Sequence, residues 1–191
     1  MSQSAKEKKS SKGKGSNGSA LRKPKQVEKN VDIQVLGNPE VVDIFLSDGN
    51  ILNCQTMEHN VNFMASASPY PSDINDMVVG VYDVCNYKTV EYLRQEILPK
   101  YSGLKNLVIV GVGLEGRNFV NLNNATPKLI CQQLCKQFRC IGTEIVGCGA
   151  KSKAVSLLAL YGRLCPGEFA VQNEADGALK EKKSKAKASK A

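Results

Sequence analysis

The 191-residue chain has one histidine, His59, and no apolar run near the roughly 18 residues a membrane-spanning helix needs. With no second histidine and no obvious acidic partner, His59 reads as an ordinary strand residue rather than a base or a metal ligand. No CxxC pair occurs among the seven cysteines at 54, 85, 131, 135, 140, 148 and 165. That absence argues against a zinc knuckle, even though four of the seven crowd between 131 and 148. The thiols read instead as reduced, small buried hydrophobes, and no metal is expected. The first residues contain no apolar h-region. Neither a myristoylation nor a prenylation pattern is present, so no membrane association is expected.

Phosphate-handling residues are also missing where they would be needed. Val31–Leu36 reads as a buried strand, Gly37-Asn38-Pro39 as a turn, and the following residues as the start of a helix. This is the setting of a phosphate loop, GxxxxGK[ST]. With Gly37 as its first glycine, the second glycine becomes Val42, the lysine Asp43 and the hydroxyl residue Ile44. An aspartate at that point repels phosphate, and Pro39 removes a backbone donor. Val42 and Ile44 are therefore expected to pack while Asp43 faces solvent. No DxxG precedes Asp76 to sense a γ-phosphate, and the turn after Asn106–Val110 holds no Asn/Lys/Asp set for a guanine. Nucleotide hydrolysis is argued against three times over, and no cofactor or catalytic residue is expected.

What the chain does have is charge at its ends. Residues 1–30 hold nine Lys and Arg against Glu7 and Glu28, a surplus of seven; residues 172–191 have a surplus of three. Since the whole chain is +8, residues 31–171 carry −2. A neutral body with basic appendages follows, rather than a fold built around a nucleic-acid surface. Residues 1–29 and 172–191 are too poor in apolar side chains to offset the entropy of ordering and are expected to be disordered tails around a domain at 30–171. A weak nucleic-acid contact, a nuclear import signal or simple solubilisation would each suit them.

Within the body, strands and helices alternate. A short helix from Glu40 ends at Asp48-Gly49-Asn50, residues 51–60 show no clear pattern, and Val61–Met64 alternates as a strand. Asp76–Val84 has the continuous apolar run of a central strand, with Gly80 marking a close helix approach. Further elements are a helix at about Lys88–Leu98, a strand at Asn106–Gly111 and a helix from the cap Thr126-Pro127 to Phe138. A strand at Ile141–Val146 and a helix at Ala154–Leu164, stopped by Pro166-Gly167, complete the body. The pattern predicts an α/β fold, a mostly parallel sheet with helices on both faces. Asp83, Glu115 and Glu144 fall near strand ends, where paired carboxylates do acid–base work; solvated loop acids are the plainer reading. Gly111, Gly113 and Gly116 match GxGxxG literally, but no acidic residue follows on a second strand, so NAD(P) binding is a minor alternative.

The order of these elements resembles the Ras-like, P-loop NTPase-type small GTPases. DMVVGVYDVCNYKTVEYL is similar to their central strand and helix, NLVIVGVGLEGRN falls at their guanine reader, and CIGTEIVGCGAKSKAVSLLALYGRL is similar to their last strand, loop and closing helix. With the catalytic motifs missing, the resemblance is to a pseudo-GTPase with a degenerate nucleotide site. Leu36-Gly37, Pro69-Tyr70-Pro71-Ser72, Gly113-Leu114-Glu115-Gly116-Arg117 and Pro166-Gly167, in that order, resemble the centromere protein M family. The basic tails and the leucine-poor EFAVQNEADG depart from that pattern. The resemblance implies a non-catalytic scaffold in the nucleus, at the kinetochore of the centromere, binding the helical-solenoid centromere protein I and associated subunits. It directs attention to Leu157, Leu160, Tyr161, Leu164 and Phe169 as partner-binding residues, with core packing as the competing use of the helical ones. A pseudo-GTPase scaffold of ciliary or dynein-linked transport is the alternative within the same fold.

Overall fold

The structure, a computed structural model, describes residues 27–56, 59–67, 75–119 and 126–168. Six strands form one sheet: β1 (Val27–Gly37), β2 (Ile51–Gln55), β3 (His59–Ser66), β4 (Met77–Asp83), β5 (Leu107–Val112) and β6 (Ile141–Glu144). Their order is β2-β3-β1-β4-β5-β6. All neighbours are parallel except β2 and β3, which form an antiparallel pair. The helices are α1 (Pro39–Leu46), α2 (Tyr87–Tyr92), α3 (Leu98–Tyr101), α4 (Ile130–Phe138) and α5 (Ala150–Leu164). A π-helical turn at Leu93–Ile97 joins α2 to α3.

Central position explains composition. All but the last residue of β4 and every residue of β5 are buried, because parallel neighbours flank them and helices cover both faces. Val31, Ile33 and Val35 of β1 join Met77, Val79, Val81, Val108 and Val110 beneath α1 and α5. Leu36, Val78, Tyr82, Leu107 and Ile109 face the opposite way, toward α2, α3 and α4. Gly80 admits that second layer: a Cβ there would lie 3.2 Å from Leu93 Cδ1, the close approach its sequence context predicts.

Over β2, β3 and the start of β1 the second face has no covering helix among the described residues. Burial alternates along β2, and polar side chains occupy the open face. Asn53 Nδ2 donates to Asn62 Oδ1 at 2.7 Å, and Asn62 Nδ2 to Asn30 Oδ1 at 3.1 Å, so a row of amides crosses three strands. The expectation of helices on both faces therefore holds for the centre of the sheet and not for this end.

Several boundaries differ from the sequence expectation. β1 begins at Val27, inside the stretch assigned to the basic arm, because residues 27–29 pair with 59–61 of β3. α4 begins at Ile130, not at a Thr126 cap. Thr126 is buried and its Oγ donates to the Val84 carbonyl at 2.7 Å, so its hydroxyl is committed elsewhere. The helix expected to end at about Leu98 runs on through Pro99. The π turn shifts the carbonyl pattern before it, and α3 continues to Tyr101. α5 starts one turn earlier than expected, at Ala150. At the far end, Lys29 pairs with Glu168, and its ammonium sits 5.1 Å from the Tyr161 ring centroid. That contact ties the start of β1 to the residues after α5.

Candidate functional site at the carboxyl edge of the sheet

In open α/β sheets a ligand crevice lies at the carboxyl ends of the strands, where the chain order reverses. Here that point lies between β1 and β4. Gly37 is the last residue of β1 and opposes Val81 of β4. A Cβ on it would run into the Val81 carbonyl oxygen, so the glycine serves strand contact. The first turn of α1 keeps no amide for an anion. Pro39 has none, Glu40 N–H is taken by Asn38 Oδ1 at 3.1 Å, and the Val41 and Val42 amides both reach the Asn38 carbonyl at 3.0 Å. Val42 is buried and Asp43 exposed, as expected. Ile44 corrects the expectation: it is 52% exposed, because Val41, Val42 and Phe45 take the inward face and a helix turns its neighbour outward.

The loops after β5 and β6 are latched to one another. Gly113 has φ 80°, which turns the chain after β5. Leu114 N–H donates to the Ile145 carbonyl at 3.0 Å, and Gly147 N–H donates to Glu115 Oε2 at 2.5 Å. Glu115 thereby occupies a backbone amide of the loop after the last strand. Asp83 Oδ1 accepts from Cys85 N–H at 2.7 Å, and the Cys85 thiol reaches the Gly113 carbonyl at 3.3 Å. Burial, then the carboxylates of Asp83 and Glu115, push the Cys85 thiol up, which keeps it protonated and unreactive at neutral pH.

The three carboxylates thus have separate positions and separate duties. Glu144 lies deeper: its Oε1 accepts from Tyr82 Oη at 2.6 Å and from Arg117 at 2.5 Å. Arg117 also reaches Thr126 Oγ at 3.4 Å, while its Nε, buried, has no partner among the described residues. Burial raises the Tyr82 hydroxyl far above its ordinary range. Asp83 and Glu144, partly buried, are structural acceptors, whereas Glu115 is an exposed loop acid, as the plainer reading expects, that also accepts from the Gly147 amide.

The glycine run serves packing as well. A Cβ on Gly111 would lie 2.6 Å from the Tyr82 ring, and one on Gly116 2.5 Å from Cys85 Sγ. The run leads into a 3-10 turn, Leu114–Phe119, so it does not open the α-helix on which a dinucleotide fingerprint depends.

A cavity of about 370 Å³ opens beside the switch point, lined by Leu36, Gly37, Val42, Tyr92 and Ile97, with Asp43 and Lys100 also on its wall. Its aliphatic and aromatic lining suits an apolar group better than a phosphate.

Of the residues singled out for partner binding, Leu157, Leu160 and Tyr161 are buried in the core beneath the sheet, and Leu164 is half-buried against it. Core packing takes them, because α5 is the helix that covers β2 and β3; Phe169 lies outside the described residues.

Sequence reasoning missed Lys153. It is fully buried, with Nζ 2.6 Å from the Phe45 carbonyl and 2.9 Å from Asp48 Oδ2, so α5 caps the end of α1. Its signal was present: Lys153, Leu157, Leu160 and Leu164 share one helical stripe, with the lysine in an apolar row. Comparison of the chain with protein-family models and with curated proteins gives no match.

Proposed function

We propose that this chain is a non-catalytic scaffold of the Ras-like pseudo-GTPase type. The observation that carries the reading is that the chain's own groups already hold the amides at the start of α1 and at Gly147. The α1 N-terminus is capped by Asn38 and shortened of a donor by Pro39, and Glu115 fills the amide of the β6 loop. The strand order, with its single antiparallel pair, supports the Ras-like assignment within the α/β class. A body with no nucleotide to bind retains its surfaces, and binding through them is its function.

The motif order through Leu36-Gly37, Gly113–Arg117 and Pro166-Gly167 supports placing the scaffold at the inner kinetochore, in the constitutive centromere-associated network. The expected partners there are centromere protein I and its neighbours. Two measurements test the reading. Calorimetric titration of GTP or GDP, with and without Mg²⁺, is expected to show no binding; nucleotide copurifying at one equivalent overturns it. An affinity capture from dividing cells is expected to return centromere proteins, and one dominated by ciliary or dynein components rejects the kinetochore placement.

A further inference from the structure

We propose that the free edge of β6 accepts an extended, acidic segment of a partner protein as a seventh strand. This deepens the scaffold reading but rests on separate observations. β6 closes the sheet and is paired only with β5 among the described residues. Ile145 turns its N–H inward to the Gly111 carbonyl at 2.7 Å. By the alternation of an extended strand, Gly142 and Glu144 turn theirs toward the open side. Among the described residues these outward backbone groups have no strand partner, so a row of strand hydrogen bonds is on offer.

Beside this edge runs a groove of about 390 Å³, formed by Glu144, Ile145 and Val146 on one side and Lys151, Ser152, Val155 and Ser156 of α5 on the other. Val146 is 60% exposed and Val155 52% exposed, two of the larger exposures among the apolar side chains. Lys151, Val155, Ala159 and Arg163 follow one another at four-residue spacing, all exposed, and form a stripe along α5. The stripe is apolar in the middle and cationic at both ends.

Charge selects the occupant. From Thr126 to Gly167 the chain has six Lys and Arg and one carboxylate, Glu144, although residues 31–171 as a whole are net acidic. Glu144 is neutralised by Arg117, and Lys153 is held by Asp48. Lys128, Lys136, Arg139, Lys151 and Arg163 are exposed and form no ion pair among the described residues. The opposite edge, β2, has no such surplus: Asp48 before it is paired with Lys153, and Asn53 on it and Asn62 on the adjoining β3 are uncharged. An acidic strand is therefore attracted to β6 and finds no matching charge at β2. The exposed backbone row and the valine pair favour a polypeptide over a nucleic acid, which reads bases with stacking aromatics that the groove lacks.

The test uses the full chain and two labelled nonapeptides of equal charge, one alternating aspartate with valine, the other aspartate with proline. Fluorescence anisotropy is expected to show the valine peptide binding at least about tenfold more tightly, since proline cannot supply the strand hydrogen bonds. Lys151→Glu with Arg163→Glu, or Val155→Asp alone, is expected to remove that preference, and Ile51→Asp at the β2 edge to leave it intact. Hydrogen exchange at Gly142 and Glu144 is expected to slow with the valine peptide. Equal binding of the two peptides, or a preference that survives the α5 substitutions, overturns the proposal. So does a single-stranded oligonucleotide of equal charge that competes fully at the same residues. Because no step involves GTP or a centromere protein, this result is independent of the tests of the scaffold reading.

Discussion

Lys153 exemplifies a side chain whose value lies in what it completes. Its ammonium satisfies the end of α1 and pairs with Asp48, while its stem packs with the core. Lys153→Ala is expected to cost about 2–3 kcal/mol in urea unfolding, and Lys153→Met about 1 kcal/mol, since methionine keeps the apolar stem and Asp48 stays partly solvated. The thiols near β6 give a second residue-level expectation. Cys140 is lowered by a hydrogen bond from Cys135 that its burial only partly offsets. Cys135 is lowered by a hydrogen bond with Cys131, but the bond to Cys140 and burial prevail, and it stands at about 12. Cys131 is raised by its bond to Cys135 and by burial. A thiol with a depressed pKa ionises, and is alkylated, at lower pH than an ordinary cysteine. Iodoacetamide mapping across a pH series is thus expected to label Cys140 before Cys131 and Cys135, and Cys135→Ala to shift that labelling toward higher pH. The sequence disclosed that these cysteines were small and apolar in setting. It could not disclose their mutual contacts, which depend on a chain reversal through Arg139 at φ 54° and a Cys140 N–H to Cys135 carbonyl bond of 3.0 Å.

At the scale of elements, the strands were legible where burial is complete and less so where it is partial. Residues of β4 and β5 announce themselves because both faces are apolar. β2 was unreadable because its outward face is Ile51, Asn53 and Gln55, a mixture that only the pairing with β3 explains. The start of α4 was misread because Thr126-Pro127 satisfies the local rule for a cap, and the rule is silent on a tertiary acceptor. The Thr126 amide and hydroxyl both reach the Val84 carbonyl, stapling the approach to α4 onto the end of β4. Thr126→Val is expected to lower stability by about 1–2 kcal/mol, because it removes the shorter of those two bonds inside the core. Hydrogen exchange should then speed up at Val84 and Cys85, whereas a mere N-cap loss would act on the first turn of α4. The same limit applies to Pro99: the sequence marks a break, and the π turn converts it into a continuation.

For the whole molecule, the α/β sheet was legible in the alternation of apolar strands with helices. The partner surface was not. A leucine on a closing helix reads the same whether it faces a sheet or a partner, and the fold assigns Leu157, Leu160 and Tyr161 to the sheet. What the fold adds instead is a polarity between ends, cationic at β6 and amide-lined at β2 and β3.

The contact of Lys29 with Glu168 and Tyr161 has a polyelectrolyte consequence. It brings Lys29 and Glu168, described residues close in sequence to the two basic stretches, side by side; those stretches have surpluses of seven and three charges, and residues 31–171 are nearly neutral. A polyanion that engages both stretches releases its condensed counterions to solvent in a single event. In a salt series with duplex DNA, the slope of log affinity against log salt is expected to be steeper for the full chain than after removal of either residues 1–26 or 169–191. Loss of both should leave almost no slope. Two short sequences at opposite ends of the chain would then behave, electrostatically, as one multivalent arm.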